Sequence, residues 1–94
     1  MLSQIPIDLS KVAQKDLDRE ILRVGVIAEL DAINLYEQMA HMAQSKIIKK
    51  VLLDIAKEEK THVGEFQALL LKEDSEQKKE LASGKAEVDE LLEG

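Results

Sequence analysis

The only proline of the chain is Pro6, and beyond it apolar residues recur at helical spacing through two stretches of nearly equal length. Proline is the residue that most reliably stops a helix, and strands need strict alternation, so this pattern leaves helices as the elements of the fold. The first stretch runs from Leu17 to about Ala43, and its lone Gly25 reads as a point of close helix packing rather than a break. The second runs from Ile47 to Leu71 and carries Ile48, Leu52, Ile55, Val63, Phe66 and Leu70 at core-facing positions. Between them Ala43-Gln44-Ser45-Lys46 is short and polar enough for a tight turn. The two helices therefore form an antiparallel hairpin.

Composition agrees with an all-α chain. The sequence is 45% hydrophobic and 34% charged, with one Phe, one Tyr and no Trp, which suits Ala, Leu, Glu and Lys-rich helices rather than aromatic-rich strands. At 94 residues the chain is at most a single domain with limited capacity to bury a core of its own. Both helices also carry apolar residues beyond one seam, namely Ile27, Leu30 and Leu35 in the first and Val51, Leu53 and Leu69 in the second. Such wide apolar coverage implies a partner, and pairing two hairpins gives a four-helix bundle.

We expect an irregular arm over residues 1–15, with Ser10 or Asp16 capping the first helix, the hairpin over 16–72, and a short helix or tail over 73–94. In the last segment Asp74 or Ser75 looks like a helix cap, and Ser83-Gly84 looks like a break. Val88, Leu91 and Leu92 give its end a weakly amphipathic character suited to docking on a neighbour.

Acidic residues outnumber basic ones by 19 to 13, for a formal net charge of -6. With no basic cluster, nucleic acid is not an expected partner, whereas small cations are. The absence of cysteine removes disulfides, thiolate metal sites and thiol catalysis. Any metal must be held by oxygen and imidazole nitrogen. The N-terminal MLSQIPIDLSK lacks the pattern of a signal peptide, and no run approaches the roughly 20 apolar residues of a membrane span. The expectation is a soluble, intracellular protein without a membrane partner.

Against this background one residue is out of place. Glu29 shares its helical stripe with Leu22, Gly25, Val26, Ala32, Ile33 and Tyr36. A lone carboxylate in such surroundings costs several kcal/mol, roughly, unless it is solvated, protonated or faced by a positive charge. The second helix has a matching anomaly in AKEEKTHVGEF, where Glu59 and His62 fall on the core-facing stripe one turn apart. Glu29 lies fifteen positions before Gln44 and Glu59 fifteen after it, so a turn near Gln44 brings both to one level. Di-iron carboxylate sites in bundles take one Glu from each of two helices and a Glu-x-x-His pair from each of the other two. One chain supplies half of that set; a two-fold dimer would supply all of it, with Glu29, Glu59 and His62 of both subunits converging on two metal ions. A buried Glu29–His62 ion pair without metal is the competing reading. Tyr36, two turns beyond Glu29, sits where it would face the ligands from outside, or simply at the core edge with its hydroxyl in water. Asp31, Asn34, Glu37, Gln38 and Glu58 fall off the stripe, as a solvated acidic face or as an outer acidic path for incoming cations, while His41 near the turn reads as a surface histidine and Met39 and Met42 as apolar fillers.

With these residues located, AELDAINLYEQ in the first helix and EEKTHVGEF in the second resemble the encapsulated ferritins, two-helix relatives of the ferritin and rubrerythrin superfamily, over residues 16–72. The resemblance implies a ferroxidase centre formed only at a dimer interface, two irons per dimer, dimers assembling into a ring-shaped decamer, and oxidation of Fe(II) to Fe(III). It also implies housing inside a cytoplasmic encapsulin nanocompartment, with the encapsulin shell protein as partner. Glu29, Glu59 and His62 match the family's iron ligands, Tyr36 stands beside them, and Asp31 matches an acidic position of a second, outer metal site. Ala28 stands where relatives carry another Glu, and Leu35 where some carry Trp. No encapsulin-targeting peptide is evident at the C-terminus; some relatives are joined directly to a shell protein.

The expected activity is therefore ferroxidase, falling at acid pH as the ligands protonate. A rubrerythrin-like peroxidase and a non-catalytic helical assembly module are its rivals.

Overall fold

The computed structural model describes residues 8–94, so Pro6 and the start of the expected arm lie outside the described residues. Two short 3-10 turns, Leu9–Lys11 and Gln14–Asp16, lead into three helices: α1 (Leu17–Met42), α2 (Lys46–Glu73) and α3 (Ser75–Glu93). α1 and α2 pack along their length as an antiparallel hairpin. The ends of both helices fall within two residues of the sequence expectation.

Local chemistry sets those ends. Ser45 has extended backbone and its hydroxyl accepts from the Ile48 N–H at 3.3 Å, so α2 starts on a side-chain cap directly after the tight turn. Asp16 immediately precedes α1 but makes no cap bond. The 3-10 turn before it holds Asp16 near helical backbone angles rather than the extended angles of a cap, and its carboxylate pairs with Arg19 at 3.3 Å instead. Ser10, the other expected cap, donates its hydroxyl to Asp8 and closes the first 3-10 turn.

The expected break at Ser83-Gly84 does not occur. α3 is continuous for 19 residues, and no glycine among the described residues has positive φ. A mid-helix glycine costs only about 1 kcal/mol relative to alanine, which the surrounding Lys, Glu, Leu and Ala residues offset. Asp74 caps this helix, accepting from the Gln77 N–H at 3.0 Å.

Among the described residues α3 packs on α2 alone and buries none of its own side chains. The molecule is accordingly a thin layer measuring 46 × 46 × 19 Å. Its buried apolar side chains are Ile33 and Ala40 from α1 and Ala56 and Leu70 from α2. Of the residues expected beyond the seam, Ile27, Leu30, Val51, Leu53 and Leu69 are exposed and Leu35 is half-buried; Val88, Leu91 and Leu92 on α3 are exposed as well. Ile48, expected on the core face, is exposed as well, in the first turn of α2. Among the described residues no helix is long and apolar enough to cross a membrane.

Candidate metal centre

Midway along the hairpin, α1 presents Glu29 and α2 presents Glu59 and His62 into the seam. One ligating atom from each of the three lies within 4.8 Å of the others, a grouping of half-buried side chains. His62 Nδ1 stands 3.4 Å from Glu59 Oε2 on its own helix and 3.5 Å from Glu29 Oε2 across the seam. Both distances exceed the roughly 2.9 Å of a good N–H···O hydrogen bond. They suit a different arrangement: donor atoms set tetrahedrally at about 2.1 Å around a first-row cation lie roughly 3.4 Å apart.

Glu29 carries the most informative atom. Its Oε2 is buried and has no hydrogen-bond partner. An orphaned carboxylate oxygen is destabilising, because the water it gave up on folding is not replaced. Two carboxylates and one imidazole converging on a small volume, with one oxygen unsatisfied, make a donor set that fits a divalent first-row cation without any thiolate.

The other residues singled out in the sequence are not in this group. Tyr36 is half-buried on α1 two turns on, and Asp31 is half-buried on the same helix. His41, Met39 and Met42 are exposed near the turn. Glu37 is exposed and pairs with Lys60 at 3.2 Å, an ion pair that ties the outer faces of α1 and α2 together.

The sequence matches the rubrerythrin family over residues 20–92. The chain belongs to the rubrerythrin family. It is 56% identical over 93 residues to a ferritin-like-encapsulin shell fusion protein of Pyrococcus furiosus. That alignment takes in 97% of this chain but 27% of the relative, so the chain spans about a quarter of that protein's length. Its fold is similar to the crystal structure of an encapsulated ferritin domain from the same organism, with a TM-score of 0.81, 53% identity, and coverage of 97% of this chain and 93% of that one. The ferritin-like resemblance drawn from residues 16–72 therefore extends across all three helices.

Sequence reasoning missed two features of this rubrerythrin-family domain. The first is a buried carboxylate, Glu20, whose Oε1 accepts from Arg23 at 3.0 Å while its Oε2 is buried and unpartnered. Arg23 also donates to Asp74 at 2.9 Å, so one guanidinium joins α1 to the elbow between α2 and α3. The Gln77 N–H and, behind it, Arg23 hold the Asp74 carboxyl below its ordinary value. The only signal in the sequence was the cap-like character of Asp74. The second is a cleft of about 370 Å³ opening beside the metal-binding group, lined by Glu29, His62, Glu65, Phe66 and Leu69.

Proposed function

We propose that this chain is a ferroxidase, oxidising Fe(II) to Fe(III) at a di-iron site shared across a dimer interface, with ferrous iron as substrate. The observation that carries the reading is the buried, unpartnered Oε2 of Glu29 within 3.5 Å of His62 Nδ1. In a close structural ion pair these two atoms would stand at about 2.9 Å, and the 3.5 Å between them leaves room for a cation to draw both in.

The chain's residues divide the work by their chemistry. Glu29 and Glu59 would bind the cation through carboxylate oxygens. His62 would bind through a ring nitrogen, and the Nδ1 atom that faces both carboxylates is the one placed to share a cation with them. Oxygen ligands stabilise the ferric product more than the ferrous substrate, which favours electron release. Dioxygen accepts the electrons, one from each of two ferrous ions. Tyr36 would act from outside the ligands, and Asp31 would bind cations on an outer acidic site.

A dimer is supported by the incomplete donor set and by the exposed apolar residues. One chain offers two carboxylates and one imidazole, half of a bundle di-iron set. Ile27, Leu30 and Leu69 remain exposed on the hairpin that carries the site. Docking a second hairpin against that face would cover them and complete the set. Five such dimers would form a ring, and the relative fused to an encapsulin shell supports a place for that ring inside an encapsulin compartment within the cytoplasm.

The test compares oxidants on ferrous-loaded, assembled protein. Oxidation by dioxygen that Glu59→Ala abolishes is the expected result. Negligible oxidation by dioxygen with rapid turnover of hydrogen peroxide would replace ferroxidase by peroxidase.

A further inference from the structure

One turn back along α1 from Glu29 is Gly25, and one turn on along α2 from His62 is Phe66. These two residues meet: a Cβ placed on Gly25 would lie 2.8 Å from Phe66 Cδ1, 2.9 Å from Cε1 and 3.0 Å from Cγ. Real Cβ atoms do not approach an aromatic ring so closely, so the ring is seated in a notch that only glycine provides. No other described glycine shows such a contact: at Gly64 and Gly84 an added Cβ meets nothing within 4 Å. Gly25 has negative φ, so close approach rather than backbone conformation is what the position demands.

The same ring forms one wall of the cleft that opens onto Glu29 and His62. Interaxial distance between packed helices ranges over about 8 to 10 Å according to the side chains at the contact. The Gly25–Phe66 seat is the cross-helix contact immediately next to the Glu29–His62 pair in the same antiparallel register. It therefore sets the separation at which α1 presents Glu29 to α2. Metal–ligand bonds tolerate displacements of only about 0.2 Å, whereas a methyl wedged under the ring would displace a helix by several times that.

We propose that Phe66, seated in the Gly25 notch, is a positioning residue for the metal site: it fixes the distance between Glu29 on α1 and the Glu59–His62 pair on α2, and thereby the affinity and coordination geometry for a divalent cation. This inference rests on the metal-site reading above.

The test uses Co(II), whose absorption spectrum reports coordination geometry independently of turnover, on the assembled protein. The variants are Gly25→Ala, Gly25→Ala/Phe66→Leu, Phe66→Ala, Gly84→Ala and Glu29→Ala. The expectation for Gly25→Ala is about tenfold weaker Co(II) binding with an altered visible spectrum, and recovery of both in Gly25→Ala/Phe66→Leu, where the smaller side chain makes room for the methyl. Gly84→Ala, which adds the same methyl in open space, leaves both unchanged. If Gly25→Ala does not fold, Phe66→Ala decides the matter, since removing the spacer while keeping the notch weakens binding and changes the spectrum by the same argument. Wild-type affinity and spectrum in a folded Gly25→Ala, or in Phe66→Ala should Gly25→Ala not fold, would overturn the positioning role while leaving the site intact, provided Glu29→Ala abolishes binding. Failure of the wild-type protein to bind Co(II) saturably would instead count against the metal site itself.

Discussion

His62 Nδ1 sits between two carboxylates, 3.5 Å from Glu29 Oε2 on the facing helix and 3.4 Å from Glu59 Oε2 on its own. Near-equal distances, longer than those of a strong hydrogen bond, suit a cation between the three groups. Removing His62 or Glu29 should therefore be costly. His62→Ala and Glu29→Ala are each expected to weaken Fe(II) binding by about 100-fold or more, read by anaerobic titration, with helicity retained. Loss of helicity in both would reassign the cluster to folding.

The orphaned oxygen of Glu29 makes a prediction of opposite sign for the metal-free protein. Glu29→Gln keeps the shape of the side chain but removes its charge from a site only 19% exposed. Thermal unfolding without metal should show an equal or higher midpoint, by up to about 1 kcal/mol, because the burial penalty of the carboxylate is relieved. Addition of metal should raise the wild-type midpoint and leave that of the variant where it was. A less stable metal-free variant would contradict the claim that Oε2 lacks a partner.

At the other end of the hairpin Arg23 bonds both Glu20 and Asp74. Among the described residues α3 packs on α2 alone, and this guanidinium bonds the residue that caps it, Asp74, to α1. Arg23→Ala should raise amide exchange in the first turns of α3 by about tenfold while exchange at the metal site hardly changes. Equal exchange in α3 with and without Arg23 would show that the cap alone orders that helix.

The same elbow gives a pH dependence. The Gln77 N–H, with Arg23 behind it, holds the Asp74 carboxyl below its ordinary value of 3.8. A group whose value is lowered on folding contributes fully above its unfolded value, and the contribution disappears as pH falls through the lower, folded one. Helicity of α3 should thus persist down to pH 3.8 and decline only below it. In Asp74→Asn, where the side chain still accepts from Gln77, that acid dependence should vanish. Acid loss at the same pH in both proteins would move the titration to another carboxylate.

Ser45 offers a plain test of the turn. Its hydroxyl caps α2, and Ser45→Ala should destabilise the protein by about 1 kcal/mol in denaturant melts without altering metal affinity.

How much of this was readable beforehand follows from which interactions are local. The hairpin was legible because Ser45 and the polar Ala43–Lys46 stretch interrupt two clean helical patterns. Counting equal distances from Gln44 was enough to bring Glu29 and Glu59 to one level, since both helices run unbroken from the turn. Gly25 could be marked for close packing, but its partner Phe66 lies 41 positions on and emerged only from the packed seam. Glu20, Arg23 and Asp74 escaped notice for the same reason: Arg23 and Asp74 are 51 positions apart, and a buried carboxylate near a helix start looks in sequence like an ordinary first-turn acid. The continuity of α3 through Ser83-Gly84 was hidden because glycine in a helix is a modest penalty that looks like a stop.

The measurement that tests the account most directly is an anaerobic Fe(II) titration of the assembled protein followed by exposure to air. The account predicts saturation near one iron per chain, two per dimer, and then a rapid ferric absorbance that both Glu29→Ala and His62→Ala lose. Binding without saturation, or oxidation at the same rate in those variants, would return Glu29 to the role of a buried structural acid and leave the protein an assembly module.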